Sequence, residues 1–139
     1  MTARLSDRVA ALLDSRVFAT VATLQPGGAP HLSVVWIGRE RCEVVFVVQR
    51  GSRKERNLRR DDRAAVLVYP AENPYSYVAV RGRCRLGSER AREIMDGLSL
   101  KYTGLRHEEF WPDAPDAHEL VVVRLLPRHV HEIGLPPAG

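Results

Sequence analysis

Residues 42–69 read CEVVFVVQRGSRKERNLRRDDRAAVLVY, and this run decides the fold. Cys42 to Val48 and Ala64 to Tyr69 are rich in β-branched residues and read as strands. Between them, Gly51 to Arg60 is polar and basic. Ser52 followed three residues later by Glu55 is a capping box, so a short helix begins at Ser52. Its first turn then carries Arg53 and Lys54, cations that oppose the helix dipole by roughly 0.3–1 kcal/mol each. Backbone N–H groups without helical partners point outward at the same end. A bound anion satisfies all three features together, and phosphate is the usual one. A solvated basic turn is the plain alternative. The flanking strands constrain the fold further. Val44 to Val48 and Ala65 to Val68 are apolar on both faces, so one face fills an interior and the other needs a helix or a second subunit over it.

Outward from this run, the elements are short and closely spaced. Leu5, Val9, Leu12 and Leu13 recur at helical spacing behind Ser6 and predict a helix over 6–15. Phe18 to Leu24 and His31 to Ile37 read as strands joined by the turn Gln25-Pro26-Gly27-Gly28. Gly38 to Arg41 reads as a turn. Tyr75 to Leu86 is a long strand with Gly82 as its bulge. Ala91, Ile94, Met95, Leu98 and Tyr102 then return to helical spacing, within a helix over about 88–103. Residues 104–118 read as loop. Glu119 to Leu126 is a last strand, which His129 to Ile133 can extend past Pro127. Strands dominate and helices do not separate them, so the chain predicts a mainly β protein. The expected form is one domain over 1–139, a six-stranded antiparallel barrel with flanking helices, paired as a homodimer through its sheet.

Composition narrows the function classes. The 139 residues carry a net charge of +4, which favours acidic ligands without requiring nucleic acid. All basic residues except Lys54 and Lys101 are arginine. No apolar run approaches the ~20 residues that span a bilayer. The first 15 residues lack the uninterrupted apolar core of a signal peptide, so a cytoplasmic protein is expected. Cys42 and Cys84 are then free thiols inside strand-like runs.

Familiar catalytic signatures are missing. The chain has no dinucleotide fingerprint, no P-loop and no nucleophile elbow. Asp61-Asp62 and Glu108-Glu109 are adjacent pairs that do not converge on one substrate atom. His129 and His131 share a strand face, but no third metal ligand is near in sequence. A phosphate grip without a nucleophile or an acid–base pair suits chemistry carried by a cofactor.

Several motifs, taken in order, carry a family likeness. They are Ala22-Thr23-Leu24, Gly28-Ala29-Pro30-His31-Leu32-Ser33-Val34-Val35-Trp36, Ser52-Arg53-Lys54-Glu55-Arg56-Asn57-Leu58 and Asp62-Arg63-Ala64. This set resembles the pyridoxamine 5'-phosphate oxidase-like FMN-binding split-barrel superfamily. Tyr75-Ser76-Tyr77, Gly82 and the terminal Gly-Leu-Pro-Pro resemble its actinobacterial branch of coenzyme F420-dependent (deazaflavin) reductases. The resemblance implies a six-stranded split barrel that dimerises, with cofactor sites at the subunit interface. It implies Ser52, Lys54, Arg53 and Asn57 at the cofactor phosphate. It implies Ser33, Val34, Val35 and Trp36 along the tricyclic ring, Tyr75 and Ser76 beside the phosphate and sugar-like chain, and Trp111 or its neighbours reaching across from the partner subunit. Arg50, Arg56, Arg59 and Arg60 are placed to screen a polyglutamate tail. Core packing remains the alternative for Trp36, and burial for Tyr75 and Tyr77. Arg128-His129-Val130-His131 does not reproduce the C-terminal Arg–His signature that grips pyridoxamine phosphate, so oxidation of vitamin B6 is not expected. The expected function is a reductase that passes hydride from the reduced deazaflavin to an unsaturated or quinone-like small molecule, with no obligate protein catalyst. Loops 70–74 and 104–118 would wall the acceptor. An FMN enzyme or flavin carrier of the same fold is the first alternative. A binding module for nucleic acid or another acidic partner, using the arginine cluster, is the second.

Overall fold

The computed structural model describes residues 2–114, 116 and 119–138. Helix α1 (Asp7–Asp14) starts where the Ser6 hydroxyl accepts the Val9 N–H at 3.2 Å, and it buries Val9, Leu12 and Leu13 as their spacing predicts. Strands β1 (Phe18–Leu24) and β2 (Pro30–Trp36) form the expected hairpin. Its turn closes through the Gly28 N–H to the Gln25 carbonyl at 2.8 Å. Then come β3 (Gly38–Glu40), β4 (Glu43–Gln49), α2 (Arg53–Arg60), β5 (Arg63–Val68), β6 (Tyr77–Gly87), α3 (Ala91–Thr103), α4 (His107–Phe110) and β7 (Leu120–Ile133).

The strands form one curled, wholly antiparallel sheet in the order β2-β1-β5-β6-β7-β4-β3. It is a half-barrel of seven strands, one more than the sequence predicts. The extra strand is β3, read above as a turn. Gly38 lets α3 come close, since a Cβ there would lie 3.1 Å from the Leu98 side chain. Arg39 forks onto the Asp14 carboxylate at 3.1 and 2.7 Å and ties the strand to α1. The expected loop 104–118, of which 115, 117 and 118 lie outside the described residues, contains α4, whose first N–H, from His107, is accepted by the Asp96 side chain at 3.1 Å. Strand β6 starts at Tyr77 and not Tyr75, because the Asn73 side chain accepts the Tyr75 N–H at 3.1 Å and turns the chain.

Gly82 is the bulge site. The β6–β7 register slips between Arg81 and Gly82, leaving Arg128 unmatched on β7. Pro127 sits opposite Gly82, so β7 runs through a proline without interruption. The fit is tight, as a Cβ on Gly82 would fall 2.0 Å from the Leu126 carbonyl oxygen.

Alternation along the strands sorts the side chains. Val21, Val66, Val68, Val78, Val80, Val44, Phe46, Val123 and Leu125 fill the concave interior, and Leu13 of α1 plugs one end. The convex side of β4 and β7 is covered by α3, where Val45 and Val122 pack on Ile94, Leu98 and Tyr102. The convex side of β2, β1 and β5 has no such helix. Leu32 is 64% exposed, Val34 68% and Leu67 38%, and the register places these three on one face with Phe18. Of the two covers foreseen for the double-sided strands, the helix serves β4, while β5 stays open. Among the described residues no helix is long and apolar enough to cross a membrane.

Candidate functional site

The site grows out of the β4–α2 junction. Ser52 caps α2 by accepting the Glu55 N–H at 3.3 Å. Glu55 reaches back one residue further than a standard capping box, to the Gly51 N–H at 2.6 Å, because the Ser52 N–H is already given to the Gln49 carbonyl. The Gly51 bond and the Arg59 ion pair at 3.2 Å hold the buried Glu55 carboxyl below its ordinary range. The N–H groups of Arg53 and Lys54, the first two helical residues, have no helical acceptor.

The cations of this helix divide into two sets. Arg59 pairs with Glu55, and Arg60 donates to the Leu24 carbonyl. Arg53, Lys54 and Arg56 meet no carboxylate among the described residues. Lys54 is half-buried, and that burial alone pushes its ammonium below the usual lysine value. An unneutralised cation at the positive end of a helix is the feature the sequence singled out, and the folded protein leaves it uncompensated.

Lys54 and Ser52 open onto a cavity of about 440 Å³. Its floor is β2, with Val34, Val35 and Trp36, and β4, with Val47, Val48 and Gln49. Its wall comes from α3, through Met95 and Leu98, and from α4 with the residue after it, through His107, Phe110 and Trp111. The volume lies in the range of small-molecule sites. Trp36 faces Phe110 at 5.9 Å and 49°, and His107 meets Trp111 edge-on at 6.1 Å. The recess between α1 and α3 differs in kind, because its charges are satisfied internally: Arg39 by Asp14, and Arg90 by Glu40 and Glu93.

The structure thus brings together Val34, Val35, Trp36, Ser52 and Lys54. Arg53 is half-buried on the first turn beside them. Ser33 lies on the other face of β2, where its hydroxyl is buried without a hydrogen-bond partner, as is the Nδ1 of His31 two residues earlier. Asn57 has no exposed surface and gives its amide to Thr23 at 3.0 Å, so it braces α2 against β1 and has no face open to a ligand. Arg50 is exposed beside Arg90 and Arg92, outside this cavity. Tyr75 is 84% exposed, and Ser76 is buried, donating to the Gly134 carbonyl at 2.9 Å. Neither lines the cavity. Trp111 lines it from the same chain that supplies Lys54. Met95 and Leu98 read only as helix core, and His107 and Phe110 lay in a stretch without periodicity. The sequence signals nothing about their convergence on β2.

These residues fit a flat ring bearing an anionic arm. The arm has Lys54, Arg53 and the free N–H groups of α2, while the ring has an aromatic and aliphatic slot over β2. The Ser33 hydroxyl, buried on the opposite face of β2, takes no part in this slot.

Known proteins share this fold. A solved structure described as an F420 reductase superposes with a TM-score of 0.76 at 23% identity, covering 87% of this chain and 94% of its own. A conserved hypothetical protein from Mycobacterium tuberculosis gives 0.76 at 24% identity, with 94% and 85% covered. A pyridoxamine 5'-phosphate oxidase-related, FMN binding protein from Nostoc punctiforme gives 0.58 at 18%, with 86% and 74% covered. At these identities the likeness concerns the fold. The family model for pyridoxamine 5'-phosphate oxidase matches residues 5–134. Nearly the whole chain is covered by that match, and the protein belongs to the pyridoxamine 5'-phosphate oxidase family of split-barrel proteins.

Proposed function

We propose that this chain is an oxidoreductase that binds coenzyme F420 and reduces an unsaturated or quinone-like small molecule. The observation that carries the proposal is Lys54, a half-buried ammonium with no counter-charge, at the mouth of a cavity floored by Trp36. Lys54, Arg53 and the first N–H groups of α2 would hold the cofactor's phosphodiester. Val34, Val35 and Trp36 would lie along its ring. The bound deazaflavin would supply hydride chemistry. The chain's own part is to fix the ring face, bring the acceptor against Met95, Phe110 and Trp111, and keep water out. Arg56 is the open cation for a polyglutamate tail, since Arg59 and Arg60 are engaged within the fold.

FMN is the second reading, supported by the FMN binding protein among the structural neighbours. Nucleic-acid binding is disfavoured, because Arg59, Arg60 and Arg63 are already satisfied inside the chain and no aromatic stripe accompanies them. The bare apolar face of β2, β1 and β5 supports a homodimer closed over that sheet, in the cytoplasm. Fluorescence titration of the purified protein with coenzyme F420 and with FMN tests the assignment. Micromolar binding of the deazaflavin supports it, preference for FMN moves it to the second reading, and binding of neither removes it.

A further inference from the structure

Tyr102 is buried on the last turn of α3 and is absent from the cavity wall, yet it contacts Trp36 and the backbone beside it. Its ring stacks on the Trp36 indole at 5.2 Å and 10°, nearly parallel. The same ring stacks on Phe18 at 5.5 Å and 25°. Phe18 and Trp36 are cross-strand partners, so Tyr102 bridges the pair. Its hydroxyl accepts the N–H of Ile37, the residue after Trp36, at 3.0 Å, and donates to the Val17 carbonyl, the residue before Phe18. Lys101 adds a second tie at the same corner, donating to the Ile37 carbonyl at 2.5 Å and to the Leu13 carbonyl at 2.6 Å.

Trp36 needs this support. It is the final residue of β2, just before the chain turns into β3, and its indole is only partly buried. Aromatic stacking defines a plane as well as adding contact energy. Strand alternation alone fixes which face a side chain leaves, but not the tilt of a large ring.

We infer that Tyr102 is a positioning residue, which sets the plane of Trp36 and thereby the shelf on which a flat cofactor ring is held. The inference rests on the cofactor reading above. Its mechanism separates two parts of the side chain. The hydroxyl secures the backbone on both sides of the pair, and the ring orients the indole.

Two substitutions pull these parts apart. Tyr102→Phe keeps the stack and loses both hydrogen bonds. Tyr102→Leu loses both. A core control, Val80→Ala, weakens the fold away from the stack. Thermal midpoints, affinity for coenzyme F420 and FMN, and the near-ultraviolet circular dichroism of Trp36 are measured, the last in a Trp111→Phe background. All three variants should melt earlier than wild type. Affinity should stay within about threefold for Tyr102→Phe and Val80→Ala, and fall about tenfold or more for Tyr102→Leu. The Trp36 dichroism, read beyond the tyrosine absorption band, should change markedly only in Tyr102→Leu. Equal affinities in Tyr102→Leu and Val80→Ala, with the wild type binding normally, overturn the positioning role alone. An unchanged Trp36 signal in Tyr102→Leu overturns it as well. A wild type that binds neither cofactor overturns the function proposal, and this inference with it.

Discussion

Lys54→Met separates binding from folding at the β4–α2 junction. Lys54 has no hydrogen bond or ion pair among the described residues, and burial works against its charge. Methionine keeps most of the aliphatic stem and forfeits no hydrogen bond or ion pair, so the free protein should lose no stability. The bound state behaves oppositely. Two unit charges about 4 Å apart at an effective dielectric near 20 attract by about 4 kcal/mol, which is a ceiling for so open a site. A hydrogen bond to a charged group is worth about 1.5–3 kcal/mol. With about 1.4 kcal/mol per decade, the loss in affinity should be about 10- to 100-fold, and smaller at high salt. The assay is fluorescence titration with coenzyme F420 and FMN at two ionic strengths, beside thermal melts without ligand. Arg59→Met is the mirror control: it strips the buried Glu55 of its ion pair, so the melt should fall while affinity holds. If Lys54→Met binds either cofactor within twofold of a wild type that itself binds, the anion site has been put in the wrong place.

Other expectations follow from the fold and its charges. Gly82→Ala drives a Cβ to 2.0 Å from the Leu126 carbonyl oxygen, which β7 can relieve only by leaving the bulge; a loss of about 3 kcal/mol or more is expected, read as a melting point roughly 10 °C lower. The Glu55 carboxyl is held below its ordinary value of 4.5 by the Gly51 N–H and Arg59. Its contribution should be fully present above that pH and disappear as pH falls through the lower folded value, so urea midpoints of wild type and Glu55→Gln should converge on acidification. Leu32→Glu puts a charge on the bare face of β2, and sedimentation should show a dimeric wild type and a monomeric variant; a monomeric wild type refutes the dimer.

Much of the architecture is legible in local chemistry. Ser52 with Glu55 announces α2, Gln25 to Gly28 announces the first hairpin, and Gly82 announces the bulge that later accommodates Pro127. These signals act over a few residues, so a one-dimensional reading finds them. The misses depend on distant partners. Strand β3 carries a glycine and two charges, and is held by Asp14 and by the edge of β4. Helix α4 is a single turn started by the Asp96 carboxylate. Asn57 reads as part of a polar basic helix, but tertiary packing points it at Thr23. The site divides in the same way. The charged mouth was readable because it violates a rule of helix electrostatics. The apolar wall was not, since Met95, Leu98 and Phe110 break no rule until the fold sets them opposite Trp36.

The scarcity of lysine gives the protein a built-in handle. Lys101 is tied to two carbonyls beneath α3, and Lys54 alone presents an unengaged side-chain amine, at the cavity's rim. Burial pushes both ammonium groups below the usual lysine value, Lys101 to about 8, but the Lys101 Nζ is held by its two carbonyls while that of Lys54 is not. An acylating dye should therefore reach Lys54 at the mouth of the site, and protection of that one position, mapped by peptide apart from Lys101 and any α-amine, would report occupancy without any knowledge of the compound being reduced.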